Sequence, residues 1–375
     1  MKLLRSTLFC ALTTVFLSAM TSHSEPFDAR GIQFIGFKSF STFRRSPGGQ
    51  PGETILTSRE IRARIPWNQL IASWNADMPA NSYLRIEVRA IYPDRATKFY
   101  TMGLWSGDPT RNPRESVPGQ KDADGDVDTD TLVLQQATER LQLRLTLGGE
   151  GKQKPKLKFL SVSLLDENAA PKPLPPNRAA WGKVIDVPER SQMAYENGAV
   201  LCSPTTVSML LSYWSRRLNR PDLDHDVPEV VKGVFDPKWG GTGNWVFNTA
   251  YAGSFKGLRA YTARFSDVAE LEDWIARGIP VGLSVCYNRL RGKSRQPSGH
   301  LIVCVGFTKT GDVIVNDPGT SNNVRKTFSR ANLIDAWAYK HNTVYLIYPQ
   351  NARLPKDRFG HWDSALARRR VSLSR

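Results

Sequence analysis

Cysteine and methionine are scarce in this chain, with four of the first and six of the second among 375 residues. No two cysteines have CxxC spacing and no Cys/His cluster has the spacing of a zinc site, so neither a structural zinc nor any other metal or cofactor is called for. Acid is in deficit, 35 Asp and Glu against 51 Lys and Arg, for a net charge of +16. A surplus of that size attracts polyanions without specificity and does not indicate a dedicated nucleic-acid site. Beyond the first 24 residues no apolar run approaches the ~18 residues a membrane helix needs. The rest is an ordinary globular composition, 40% hydrophobic with 28 Gly and 24 Pro, which argues against disorder or a collagen-like repeat. At roughly 100–200 residues per domain the length allows two domains.

Residues 1–24 read as a signal peptide. Lys2 and Arg5 form a basic start, Leu8 to Met20 an apolar stretch, and Ser22-His-Ser24 a small-residue cleavage site. The expected mature protein is secreted or periplasmic, carries +14 because two basic residues and no acid are lost, and has no membrane-spanning segment. It retains Cys202, Cys286 and Cys304. An odd count in an exported protein leaves at least one thiol free or paired between molecules, and so one candidate nucleophile.

The fold class expected is α+β, in the order all-β sandwich, linker, then a helix-and-strand domain. Residues 25–165 contain alternating runs such as Tyr83–Tyr92, Arg140–Leu147 and Lys156–Leu164, separated by Gly/Pro breaks, the period-2 pattern of half-buried strands. Residues 166–183 hold four prolines, at 171, 173, 175 and 176, and read as a semi-rigid spacer. Between 184 and 350 the spacing predicts helices over 207–218 and 267–277, then strands over 281–287, 301–307, 313–316 and 343–348. Residues 351–375 read as a mobile, solvated basic tail.

Cys202 stands just before the first of these helices, where unpaired N–H groups and the helix dipole favour a thiolate. Cys286 and Cys304 lie within apolar strands and read as buried, with a mutual disulfide as the lesser alternative. A cysteine nucleophile needs a base. His225 sits in an acidic loop, His361 in the tail and His341 ahead of a strand, whereas His300 opens the strand 301–307 and can overhang the helix start. The following strand ends in Asn316-Asp317, so a hairpin returns a polar group to orient the imidazole. A two-residue turn would present Asp317 and a three-residue loop with a bulge Asn316, a choice the residues alone leave open. Gln192, ten residues upstream of Cys202, is a candidate side-chain donor for an oxyanion, beside the Cys202 backbone N–H. Trp239, Trp245 and Phe247 either line a cleft or fill an interface between the two halves of the domain.

The ordered motifs Val187–Gln192, Cys202-Ser-Pro-Thr-Thr206, Gly241-Thr-Gly-Asn-Trp245, Gly278-Ile-Pro-Val281, Ser298-Gly-His300 and Val315-Asn-Asp-Pro318 resemble the double-glycine (bacteriocin-processing) peptidase-like family of papain-like cysteine peptidases. The resemblance covers about residues 184–348. It implies Cys202 as nucleophile, His300 as base, Asp317 as orienter and Gln192 as oxyanion donor. The exporters of that family join the peptidase to a membrane transporter and an ATPase, neither of which this chain has. Arg291-Gly-Lys-Ser294 lacks the earlier glycine of a phosphate loop, since position 287 is Tyr.

Alternate aspartates over Asp122–Asp130 resemble the start of a calcium loop, but Val127 and Val133 occupy the positions an EF-hand gives to Gly and Glu. A solvated acidic turn is the expectation. The reading as a whole is an exported cysteine peptidase or amidase acting on a peptide or cell-envelope amide through a thioester. The alternative is an inactive envelope-binding protein whose β domain recognises a glycan or a protein.

Overall fold

The computed structural model describes residues 30–150, 154–358 and 361–364. The expected signal peptide and the Arg368–Arg370 run fall outside the described residues.

The N-terminal domain is all-β. Its strands are β1 (Ile32–Phe37), β2 (Arg44–Pro47), β3 (Thr54–Thr57), β4 (Ile61–Asp77), β5 (Ser82–Ile91), β6 (Tyr100–Ser106), β7 (Gly125–Asp128), β8 (Thr131–Gly149) and β9 (Lys156–Leu165). The alternation seen in the sequence becomes burial: Leu84, Ile86 and Val88 of β5 face Leu141, Leu143 and Leu145 of β8 in one apolar core. Outside that core, the Arg144 guanidinium grips the Glu87 carboxylate with two bonds of 2.7 Å. The strands form a single hydrogen-bonded network. The long β4 and β8 serve both halves, with register shifts in β4 around Pro66.

The C-terminal domain is α+β. Helices α1 (Cys202–Leu218), α2 (Val227–Val234) and α3 (Trp245–Ser254) precede β10 (Leu258–Arg264), α4 (Val268–Ala276), β11 (Val281–Cys286) and the single turn α5 (Tyr287–Leu290). Then come β12 (Gly299–Phe307), β13 (Val313–Asn316), β14 (Arg325–Phe328), α6 (Arg330–Ala338) and β15 (Thr343–Pro349). The sheet order is β10-β15-β11-β12-β13-β14, and α1 packs across β12, β11 and β15. Gly282 permits that packing, because a Cβ there would stand 3.0 Å from Tyr345 and 3.2 Å from Thr206. At its C-terminus α1 stops at Asn219, whose left-handed φ of 52° turns its N–H back onto the carbonyls of Ser215 and Arg216.

Side chains of β4 dock on the edge of β10. The Asn75 amide exchanges hydrogen bonds with the Ala260 backbone, 2.6 and 3.2 Å, and Ser73 accepts from the Thr262 N–H at 3.0 Å. Phe247 of α3 is fully buried against Trp74 and Trp105 of the β domain. It therefore fills the contact between the domains rather than a cleft.

Two segments differ from expectation. The Pro-rich stretch, expected as a semi-rigid spacer, is fastened to α4: the Leu174 and Asn177 N–H groups donate to the carboxylates of Asp267 and Glu272, at 2.8 and 2.6 Å. The segment expected as a mobile, solvated tail is tied to the fold at residues 361–364. His361 is buried with its Nε2 2.7 Å from the Glu270 carboxylate, and β16 (Trp362–Ser364) pairs in parallel with β1. An aromatic and an imidazole that find apolar and acidic partners outweigh the basic character that marked the segment as a tail.

Candidate active site

The Cys202 thiol sits at the first position of α1. The helix is entered through a tight turn, Gly198–Val200, after Asn197 at a left-handed φ of 57°. Gly198 is required there: a Cβ would stand 2.2 Å from the Gln192 carbonyl oxygen. The first N–H of the helix region to close on a backbone carbonyl is that of Thr205, onto Leu201 at 3.0 Å. The N–H groups of Cys202 and Ser203 precede it and face outward from the helix end. Burial alone would push the Cys202 thiol pKa up, but a hydrogen bond and charge from His300, with the N–H groups of Leu301 and Ser203, outweigh burial and bring it below the ordinary thiol value.

His300 stands at the start of β12, opposite Val285 of β11, and is buried. Its Nε2 lies 2.7 Å from Asp317 Oδ1, leaving Nδ1 on the side of the thiol. Burial opposes the imidazolium. The bonds to Asp317 and Cys202 overcome it and lift His300 to about 9. Asp317 is fully buried and still ionises readily, since donation from His300, Tyr287 and the Gly319 N–H outweighs desolvation and holds its pKa low. The shifts of Cys202 and His300 favour a thiolate beside an imidazolium.

A bulge settles the choice between Asn316 and Asp317. Cys304 pairs with Val315 but Gly306 with Ile314, so Val305 is an extra residue in β12. That odd residue places Asp317 on the face of His300. Asn316 turns to the other face, where its amide donates to the carbonyls of Val187 and Pro188 and accepts from Arg325. The bulge lies where the chain crosses the strand end, with a Cβ on Gly306 falling 2.1 Å from the Lys183 carbonyl oxygen.

Gln192 is buried between the two halves of the cluster. Its backbone N–H donates to the Pro318 carbonyl at 3.0 Å and its Nε2 to the Gly198 carbonyl at 2.7 Å, while its Oε1 has no hydrogen-bond partner among the described residues. Of the four residues singled out from the sequence, Cys202, His300 and Asp317 form one hydrogen-bonded chain, and Gln192 is bonded to the turns beside it at Pro318 and Gly198. Tyr287 and Gly319 were not anticipated. The Tyr287 hydroxyl donates to Asp317 Oδ2 at 2.6 Å, its ring centroid lies 4.1 Å from that of His300, and the Arg291 guanidinium covers its other face at 3.9 Å. Tyr287 directly follows β11, next to the strand that carries His300 at its second position, and that adjacency was its one signal in the sequence.

Cys286 and Cys304 are buried free thiols, and burial drives the Cys304 pKa well up. His225 and His361 are engaged elsewhere, with Tyr251 and Glu270. The loop that follows α2 borders the entrance to α1, where the Thr242 hydroxyl faces the Val200 carbonyl at 3.4 Å. Buried Asp236 organises this loop, accepting from the Asn244 amide, the N–H groups of Lys238 and Trp239, and the Ser116 N–H of the β domain. Three apolar side chains stand exposed on the surrounding turns: Met193 at 47%, Val200 at 67% and Trp239 at 49%. The Asp122–Asp130 aspartates are taken up internally. Asp122 meets Lys98 and the Tyr100 hydroxyl, Asp124 meets Arg95, and Asp130 accepts from the Trp245 N–H.

Among the described residues no helix is long and apolar enough to cross a membrane. No curated protein matches the chain. A solved structure described as a C39-like peptidase from Bacillus anthracis is 16% identical, with 46% of this chain and 99% of that one covered at a TM-score of 0.37. A xylanase 10B fragment of Clostridium thermocellum with CBM22-1 and GH10 modules is 6% identical, with 50% and 35% covered at a TM-score of 0.16. At such TM-scores neither likeness bears on function. Family models divide the chain as the fold does: residues 53–164 match the Peptidase C39 N-terminal domain and residues 184–345 the Peptidase_C39 like family. By these two matches the chain pairs a C39 N-terminal domain with a domain of the Peptidase_C39 like family, and the second carries the Cys202, His300 and Asp317 cluster.

Proposed function

We propose that the protein is an exported cysteine peptidase that hydrolyses a peptide amide through a thioester on Cys202. The observation that carries this reading is the unbroken chain from the Cys202 thiol through His300 to the Asp317 carboxylate. The thiolate attacks the carbonyl carbon, a C–S bond forms, and the π electrons move to oxygen. In this reading the N–H of Cys202 and the remaining Nε2 hydrogen of Gln192 would donate to that oxyanion. When the tetrahedral adduct collapses, the C–N bond breaks and the leaving nitrogen takes the proton from His300. Water then attacks the thioester, gives a proton to His300 and expels the Cys202 thiolate. Asp317 holds the ring in one orientation and supports its positive charge throughout.

Met193, Val200 and Trp239, exposed on the turns near the start of α1, would supply an apolar surface on which side chains of an extended peptide rest. The basic N-terminus and apolar stretch of residues 1–24 support export, to the periplasm or beyond.

Turnover of a peptide library by the full mature chain, read by mass spectrometry, tests the reading. Cleavage that vanishes in Cys202→Ala, with a covalent acyl adduct trapped at Cys202, supports it. Undiminished cleavage in Cys202→Ala overturns it. N-terminal sequencing of the protein recovered outside the cytoplasm tests export separately.

A further inference from the structure

The cavity of about 210 Å³ at the junction of the two domains shares no residue with the Cys202 cluster. Its walls are aromatic: Phe34 and Phe159 from the β domain, Tyr261 and Tyr348 from β10 and β15, Trp274 from α4, and Trp362 from β16. Into these walls is set Arg259, only 8% exposed. Its guanidinium lies 4.0 Å over the face of Phe159, and its Nη1 has no hydrogen-bond partner among the described residues.

The acids of the same cavity do not serve Arg259. Glu270 Oε1 accepts from His361 and from the Trp362 indole, at 2.7 and 2.8 Å, and its Oε2 accepts from the Ser266 N–H. Asp273 is held by Arg358 and by the Asn177 amide. The Tyr261 and Tyr348 hydroxyls bond to each other at 2.8 Å. The cavity's two acids are thus taken up by other groups, and among the described residues that line it Arg259 is a buried cation with no carboxylate in salt-bridge range. Burial disfavours such a cation, and an anion entering the cavity would supply what the protein does not.

We propose that this cavity binds a small aromatic carboxylate, with the acid on the Arg259 guanidinium and the ring among the aromatic walls. A cavity of about 150 Å³ accepts benzene, so this one has room for a ring and a short acid side chain but not for a peptide. The planar guanidinium fork matches a carboxylate, and one unneutralised charge matches a monoanion. Because both domains and the β16 strap line the cavity, the bound acid would fasten them together and raise the melting temperature.

The test uses the full chain with benzoate, phenylacetate and 3-phenylpropionate as probes, followed by tryptophan emission and melting temperature. Acetate and 3-phenylpropan-1-ol serve as the ring-free and charge-free counterparts. Saturable binding of at least one ring acid is expected, with its alcohol or acetate weaker by about tenfold, the worth of one charge-assisted contact. Arg259→Met is expected to weaken the acid by a similar factor and to leave the melting temperature of the free protein unchanged or higher. Cys202→Ala is expected to bind as wild type does, which separates this site from the peptidase reading. The absence of saturation by all three acids below about 1 mM overturns the proposal. So does equal affinity for acid and alcohol, a wild-type comparison that holds even where Arg259→Met does not fold.

Discussion

The Tyr287 hydroxyl donates to Asp317 Oδ2 at 2.6 Å while His300 occupies Oδ1 of the same carboxylate at 2.7 Å. The carboxylate is thereby fixed from both sides, and the Tyr287 ring also covers the imidazole it helps to orient. Tyr287→Phe keeps the ring and removes the donor. A hydrogen bond to a charged group is worth about 1.5–3 kcal/mol, and a tenfold rate change corresponds to about 1.4 kcal/mol. The expected result is a kcat about tenfold lower with KM little changed, measured on whichever peptide the wild type cleaves. Unchanged kcat would mean that His300 and the Gly319 N–H suffice to hold Asp317.

Gly319 approaches the same pair from a third direction. A Cβ there would stand 2.9 Å from His300 Cε1, 3.1 Å from Nε2 and 3.3 Å from Asp317 Oδ1. These are the interior atoms of a packed, hydrogen-bonded pair, not the free end of a flexible side chain. Gly319→Ala is therefore expected to displace the imidazole, lowering kcat by about 10–100-fold with a melting temperature near that of wild type. Activity within twofold of wild type would show that the ring relaxes around the methyl group.

Much of this cluster was legible because a Cys/His/Asp arrangement sets an order of residue types along the chain. A thiol before a helix, a histidine opening a strand and an acid ending the next strand can be read without coordinates. Asp317 against Asn316 could not be decided that way, since the deciding residue is Val305, an apolar residue in an apolar strand whose bulge leaves no mark in composition. Tyr287 was hidden for a related reason, because its partner lies 30 residues away and is reached only once β11 pairs with β12. Among the elements, β10 was missed because Arg259 and Arg264 break its apolar pattern, yet both are buried against the other domain. The α3 segment was missed for the opposite reason: it is enclosed on nearly all sides and so lacks a polar face. His361 and Trp362 show how little a basic tail-like composition says when two side chains find partners across the fold.

Asp130 couples the domains through a proton. Its carboxylate accepts from the Trp245 N–H at 2.6 Å at the start of α3, and burial raises its pKa to about 7. The folded state therefore holds this proton more tightly than the unfolded chain, whose value is near 3.9. Between those two values the native state binds more protons, so this group makes stability fall as pH rises. The slope is on the order of 1 kcal/mol per pH unit. Asp130→Asn keeps an acceptor for the Trp245 N–H and removes the titration. Urea midpoints at pH 5 and pH 8 are expected to differ less in the variant than in the wild type. An equal difference in the two proteins would assign the pH dependence to other groups.

The paired shifts of Cys202 and His300 set a working window with two edges. The thiolate forms once pH rises past the lowered Cys202 value, and the imidazolium survives until pH passes about 9. Both are present together only between those limits, so kcat/KM is expected to be bell-shaped, with its alkaline limb near pH 9. Alkylation of Cys202 by iodoacetamide should titrate below the free-thiol pKa of about 8.5, whereas buried Cys286 and Cys304 should react slowly in the folded protein. His300→Ala removes the hydrogen bond and the charge that offset burial, leaving desolvation as the dominant influence on the thiol. Its alkylation curve is then expected to move above that of a free thiol. An unmoved curve would place the source of the lowered pKa in the α1 N-terminus rather than in His300.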